Sequence, residues 1–160
     1  MKNYANEIRL CLVRLILKAR FGKKIELGKD FRTRKRFYCL IRKGYLTIGD
    51  HVSFNNDCSI TILNRVTIGE NTIFGEGVKI YDHNHQFYKN EGLIRQQPMS
   101  IGEVKVGKNC WIGSNVVLLE GADIGDGCVI GAGCVIGEKV HENTLVKHRQ
   151  TLSFQEIRDR

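Results

Sequence analysis

The chain has 160 residues, 42% hydrophobic and 26% charged, which suits one folded domain and excludes a disordered polymer. No apolar run approaches the roughly 18–20 residues of a membrane span, and Arg9 and Arg14 break the apolar N-terminal stretch, which argues against a secretory leader. The formal charge of +8 is lopsided: residues 1–45 hold fourteen Lys/Arg and three Asp/Glu, a balance of +11, whereas residues 46–160 balance at −3, so two segments with different jobs are expected.

Residues 4–20 read as an amphipathic helix. Ile8, Leu12, Leu15 and Ile16 supply the apolar spacing, Arg9, Arg14, Lys18 and Arg20 the charge, and Gly22 a stop. The basic run FRTRKRFYCLIRKG follows. Three uses compete for this extension of residues 1–45. It caps an open end of the fold, lies on an anionic membrane surface, or holds a polyanionic glycan. No nucleic-acid motif accompanies the charge, so nucleic acid is not expected as a partner.

A six-residue repeat governs residues 46–146. It opens with LTIGDH, VSFNND and CSITIL, slips by two residues, then continues with VTIGEN, TIFGEG and VKIYDH. From residue 104 it is regular. Val106, Ile112, Leu118, Ile124, Ile130 and Ile136 hold the third place, and glycine follows five of them. Val104, Cys110, Val116, Ala122, Cys128, Cys134 and Val140 hold the first place. Period six fits neither a helix nor a lone strand, but it fits a short strand and a turn in alternation. Three such units close one triangular coil of eighteen residues, and coils stack through parallel β hydrogen bonds. Glycine is expected to give the turns their backbone freedom. Four of the six cysteines (Cys58, Cys110, Cys128 and Cys134) sit in first places, where a small inward residue is wanted. With no C-x-x-C pair they read as packing thiols rather than metal ligands, and unpaired core thiols favour a reducing cytoplasm.

The register breaks at about residues 81–103 for a protruding loop, YDHNHQFYKNEGLIRQQPMSIGE. It holds Asp82, His83, His85, three aromatics and the only proline, Pro98, which argues for an ordered and functional loop. Neighbouring side chains on an extended strand point apart, so Asp82 is expected to fix loop geometry rather than orient His83.

The segments VTIGENTIFGEGVKIYDHNHQF and CWIGSNVVLLEGADIGDGCVIGAGCVI resemble the hexapeptide-repeat acyltransferase superfamily. Within it they are similar to the maltose/galactoside acetyltransferase branch and its cell-surface polysaccharide O-acetyltransferase relatives. The resemblance implies a left-handed parallel β-helix, a homotrimer with active sites between subunits, and acetyl-CoA as donor, without a metal. It puts the catalytic histidine where a strand runs into the extended loop, at His83, with His85 as the alternative after a two-residue shift. It places Trp111 beside the pantetheine arm and makes Ser114 and Ala132 cofactor-groove positions. The C-terminal tail, residues 147–160, departs from the family by lacking a terminal glycine–proline turn, although Lys147 and Arg149 remain candidates for the CoA phosphate.

A neutral imidazole, with an ordinary pKa of about 6.5, suits proton abstraction from a sugar hydroxyl. A backbone N–H near Ser114 is the candidate oxyanion donor. The expectation is therefore an acetyl-CoA-dependent O-acetyltransferase acting on a sugar in surface-polysaccharide synthesis. It would be cytoplasmic, at the inner face of the membrane if the basic helix anchors there. The alternatives are N-acetylation of an amino sugar, a zinc carbonic-anhydrase-like enzyme, and a non-catalytic scaffold.

Overall fold

The repeat folds as five full coils and part of a sixth. The computed structural model describes residues 4–149, with side chains from residue 10 onward. Coil one comprises β1 (Ile25–Leu27), β2 (Arg32–Thr33) and β3 (Tyr38–Ile41). Coil two is β4 (Tyr45–Ile48), β5 (Ser53–Phe54) and β6 (Ser59–Ile62), and coil three is β7 (Arg65–Ile68), β8 (Ile73–Phe74) and β9 (Lys79–Tyr81). An excursion with β10 (His83–His85) and β11 (Met99–Ile101) intervenes. Coil four is β12 (Glu103–Val106), β13 (Trp111–Ile112) and β14 (Val117–Leu118). Coil five is β15 (Asp123–Ile124), β16 (Val129–Ile130) and β17 (Val135–Ile136), and β18 (Lys139–Val140) and β19 (Leu145–Val146) begin the sixth. Each strand pairs in parallel with its counterpart one coil on, which gives three sheets. The first face begins at β1, the second at β2 and the third at β3. This is a left-handed parallel β-helix with one N-terminal helix, α1 (Tyr4–Phe21).

Alternation puts places one and three inside. Val66, Ile80, Val104, Ile112, Val116, Leu118 and Ile130 are fully buried, and Phe54 stacks on Phe74 at 4.2 Å between centroids. Glycine gives the turn its freedom at place six, as expected, at Gly77, Gly121, Gly127 and Gly133, but the two turn positions are specialised separately. Left-handed backbone occurs at place six, where His51, Asn71, Asn109 and Asn115 have φ of 58°, 60°, 51° and 57°. Short polar residues such as Asn tolerate that region and glycine replaces them elsewhere. Glycine at place four instead answers crowding. A Cβ on Gly49 would lie 2.6 Å from Glu70 N, and one on Gly107 would lie 2.7 Å from Asp126 N.

The first-place thiols are buried, as their spacing predicts, and Cys58, Cys110 and Cys128 also donate. Cys58 Sγ lies 3.1 Å from Gly75 O, Cys110 Sγ 3.2 Å from Gly125 O, and Cys128 Sγ 3.0 Å from His141 O. Thr72 does the same with a hydroxyl, 2.9 Å from Gly107 O. A small donor at place one thus satisfies the place-four carbonyl of the next coil. Burial pushes the thiols of Cys58 and Cys110 up, and that of Cys39 to about 12.

Three sequence-based assignments change. The coil stack starts at Ile25, so the solenoid reaches into the segment that composition set apart as residues 1–45. Val140 pairs with the third-place position of Ile124, so the last repeat is shifted by two residues. Helix α1 packs with a stripe the spacing did not single out: Leu17 is buried, Val13 and Phe21 pack with it on the core, and Leu12, Leu15 and Ile16 are exposed. Arg14 lies on the packed side and donates from Nη1 to Gly28 O at 2.7 Å. The side chains of Ile8 and Arg9, and residues 150–160 of the tail, lie outside the described residues.

Candidate active site

At the corner after β9 the chain leaves the third face and returns on the first at β12. The neck is closed by Gly102 N donating to Asp82 O at 2.8 Å. Beyond it β10 and β11 pair antiparallel, with His83 opposite Ile101 and His85 opposite Met99. Farther out, buried Gln97 ties the loop to itself, accepting from Tyr88 N at 2.8 Å and donating to Tyr88 O at 3.0 Å and Gly92 O at 3.2 Å. Asn64 Nδ2 donates to Gly102 O at 2.9 Å, and Ser100 Oγ donates to Glu120 Oε1 at 2.6 Å. The loop is therefore ordered, as its aromatics and proline suggested.

Asp82 is the pivot. Its carboxylate is fully buried and accepts from Leu63 N at 2.8 Å and Asn64 N at 2.7 Å. The same Oδ1 lies 2.8 Å from Nδ1 of His83. Asp82 does fix the loop, but it also orients His83, contrary to the expectation that adjacent side chains point apart. That rule holds along a straight strand, and the chain bends between β9 and β10. A carboxylate only accepts, so Nδ1 carries the hydrogen, and in the neutral ring the lone pair is at Nε2. The His83 side chain is 14% exposed and meets Tyr81 edge-on at 6.5 Å. His85 shares the same face of the short ribbon and is exposed.

The proposed groove positions gather at a different corner, between the second and third faces. Gly75, Gly113 and Gly131 stack there: a Cβ on Gly75 would lie 2.6 Å from Ser114 N, and one on Gly113 would lie 2.7 Å from Ala132 N. Lys147 continues this column, 3.5 Å from the Cβ position of Gly131. Lys147 and His141 stand at place four of the last described strands, where earlier coils carry glycine. Arg149 closes the described residues. The Ser114 N–H makes no backbone hydrogen bond among the described residues. Trp111 is 55% exposed on the second face, aligned with Ile73 and Val129. The candidates thus form two groups: Asp82, His83 and His85 at one corner, and Trp111, Ser114, Ala132 and Lys147 at or beside another. Within one chain the third face stands between them. Sequence reasoning missed Asn64 and Gln97, and only the two-residue slip before Val66, which Asn64 opens, marked the first of these.

Among the described residues no group of three or more His, Cys, Asp or Glu is arranged to hold a metal ion, and none of their helices is long and apolar enough to cross a membrane.

Residues 103–138 match the bacterial transferase hexapeptide family, six repeats. The chain is 29% identical over 111 residues to an Escherichia coli K12 protein, WbbJ, named for lipopolysaccharide-biosynthesis O-acetyl transfer. It is 36% identical over 98 residues to nodulation protein L of Rhizobium meliloti. These matches take in 65% and 60% of this chain and 57% and 51% of the relatives, so it spans little more than half their length. A hexapeptide-repeat acetyltransferase of Vibrio cholerae, VCA0836, solved with acetyl coenzyme A, superposes with a TM-score of 0.69 at 25% identity. That superposition covers 84% of this chain and 70% of the other. Residues 103–138 thus carry the bacterial transferase hexapeptide repeat, and the chain as a whole is similar to acetyltransferases built on that repeat.

Proposed function

We propose that the protein transfers acetyl from acetyl-CoA to a hydroxyl of a sugar in surface-polysaccharide synthesis. The observation that carries this reading is the Asp82–His83 pair, in which the buried carboxylate holds Nδ1 at the root of the loop and leaves Nε2 as the ring nitrogen not engaged by Asp82. In this reading Nε2 of His83 accepts the hydroxyl proton as the sugar oxygen attacks the thioester carbonyl. Asp82 holds the resulting imidazolium, and the proton then passes to the sulfur that leaves as C–S breaks. A neutral alcohol thereby reacts without a covalent enzyme intermediate. The Ser114 N–H is the proposed donor to the tetrahedral oxyanion.

The corner column of glycines, with Ser114 and Ala132, offers a smooth track for the pantetheine arm. Lys147 and Arg149 at its end suit the nucleotide phosphate. Because that corner and the Asp82–His83 corner lie apart, the site requires a second copy, and a homotrimer meets that requirement. The acceptor class rests on the relative named for lipopolysaccharide O-acetyl transfer, and the donor on the neighbour solved with acetyl coenzyme A.

A second reading gives the base role to His85, whose exposed ring is open to an acceptor without rearrangement. Calorimetric titration of acetyl-CoA into the protein and its His83→Ala and His85→Ala variants separates binding from chemistry. All three are expected to bind. In an acceptor screen of sugars and amino sugars, His83→Ala should lose about 10²–10⁴ in rate. Loss confined to His85→Ala would move the role to His85. Acetylation of amino sugars alone would replace O- by N-transfer, and absence of acetyl-CoA binding would sink the proposal.

A further inference from the structure

Helix α1 carries apolar side chains on two opposite sides. One side is spent on the solenoid: Leu17 is buried, Val13 and Phe21 pack beside it, and Arg14 bonds to Gly28 O. The other side presents Leu12, Leu15 and Ile16, which are 51%, 58% and 61% exposed, with exposed Ala19 between them. At the helical 100° per residue these four fall within an arc of about 100°. Lys18 and Arg20 border that arc, one on each side, and both are exposed. Lys23 and Lys24 extend the positive charge in the 3-10 turn that follows, and exposed Lys29 and Lys35 continue it on coil one.

We infer that this outer face of α1 seats the protein on an anionic lipid surface. An aliphatic arc bordered by cations matches the acyl–headgroup boundary. Leu and Ile enter the apolar layer, while the stems of Lys18 and Arg20 lie along it and their charges reach the phosphates. Charge opposes two-fold pairing of this face with itself, because that would set Lys18, Arg20, Lys23 and Lys24 against their own equivalents, whereas an anionic surface complements all four. A face turned only to water would be polar at these positions. The inference stands independently of the acetyl-transfer reading, since no residue of the Asp82–His83 corner takes part.

The test is co-sedimentation with vesicles of equal parts phosphatidylglycerol and phosphatidylcholine, against phosphatidylcholine alone. The protein is expected to pellet with the anionic vesicles only, and to be released by high salt. Replacing the outer arc (Leu12→Gln, Leu15→Gln, Ile16→Gln) should weaken partitioning at least about tenfold. The melting transition should stay in place, because none of the three touches the core. Lys18→Gln with Arg20→Gln should weaken it and flatten its salt dependence. Equal recovery with neutral vesicles, no recovery with anionic ones, or unchanged recovery of the triple variant would overturn the inference. So would a fall in solution mass of the triple variant, which would assign the face to self-association. If the triple variant fails to fold, the vesicle comparison and salt titration of the unaltered protein still decide.

Discussion

Asp82 serves the backbone and the imidazole at once, so its replacement should be felt in two measurements. Asparagine keeps the shape, but its NH₂ would face one of the three N–H groups that now converge on the carboxylate. Asp82→Asn is expected to lower stability in denaturant titration by about 1–3 kcal/mol. It should also reduce the transfer rate while acetyl-CoA still binds. The thiols give a second test at this scale. Burial holds the folded Cys39 thiol at about 12, above its ordinary value of 9.0, so the native state keeps a proton that the unfolded chain gives up. Its contribution to stability is complete below pH 9 and is lost as pH rises toward 12. Chemical-denaturation midpoints should therefore fall across that interval, and less so in Cys39→Ala. In the native protein at pH 8 a maleimide should label exposed Cys11 and spare the buried five. The packing role of the first-place cysteines was legible from spacing alone. The link from Asp82 to His83 was not, because it depends on a bend in the chain that spacing does not encode.

The coil is the unit at the next scale, and its two special turn positions have different tolerances. Gly107 is there for lack of room, so Gly107→Ala should push Asp126 and its coil away and cost about 1–3 kcal/mol. Measured thermal midpoints should drop accordingly. Asn109, two residues on, is there for its backbone angle, so Asn109→Gly should be nearly neutral. The regular coils after residue 104 announced themselves through strict aliphatic spacing. Coil one did not, although Ile25, Leu27, Phe31, Thr33, Phe37 and Cys39 keep the same six-residue step. Only Leu27 is followed by glycine, and cations fill the turns, so composition masked the periodicity. The direction of α1 was hidden for a related reason. Both of its sides are apolar, and sequence alone does not choose which of two stripes meets a neighbour.

Over the whole molecule, the two groups of candidate residues sit at separate corners of the triangular section. If transfer needs both, the working particle holds more than one chain. Light scattering is expected to return three times the 18.2 kDa of the single chain. A monomer with full transfer activity would contradict the shared site. The sequence conveyed the solenoid and the loop but not this separation, since each hexad looks alike whichever face it occupies. The exposed loop side chains Phe87, Tyr88, Leu93 and Ile94 agree with a partner at that level.

The excursion leaves and re-enters through a neck one hydrogen bond wide, and the stack beneath it is continuous. β12 pairs with β7, and β14 with β9, as though residues 83–101 were absent. Scaffold and loop are therefore separable inheritances. The loop can be altered without endangering the coils, and the coils can be hardened without altering the loop. Exchanging residues 86–98 among related solenoids, which leaves His83 and His85 in place, would test whether the outer part of the loop sets acceptor preference.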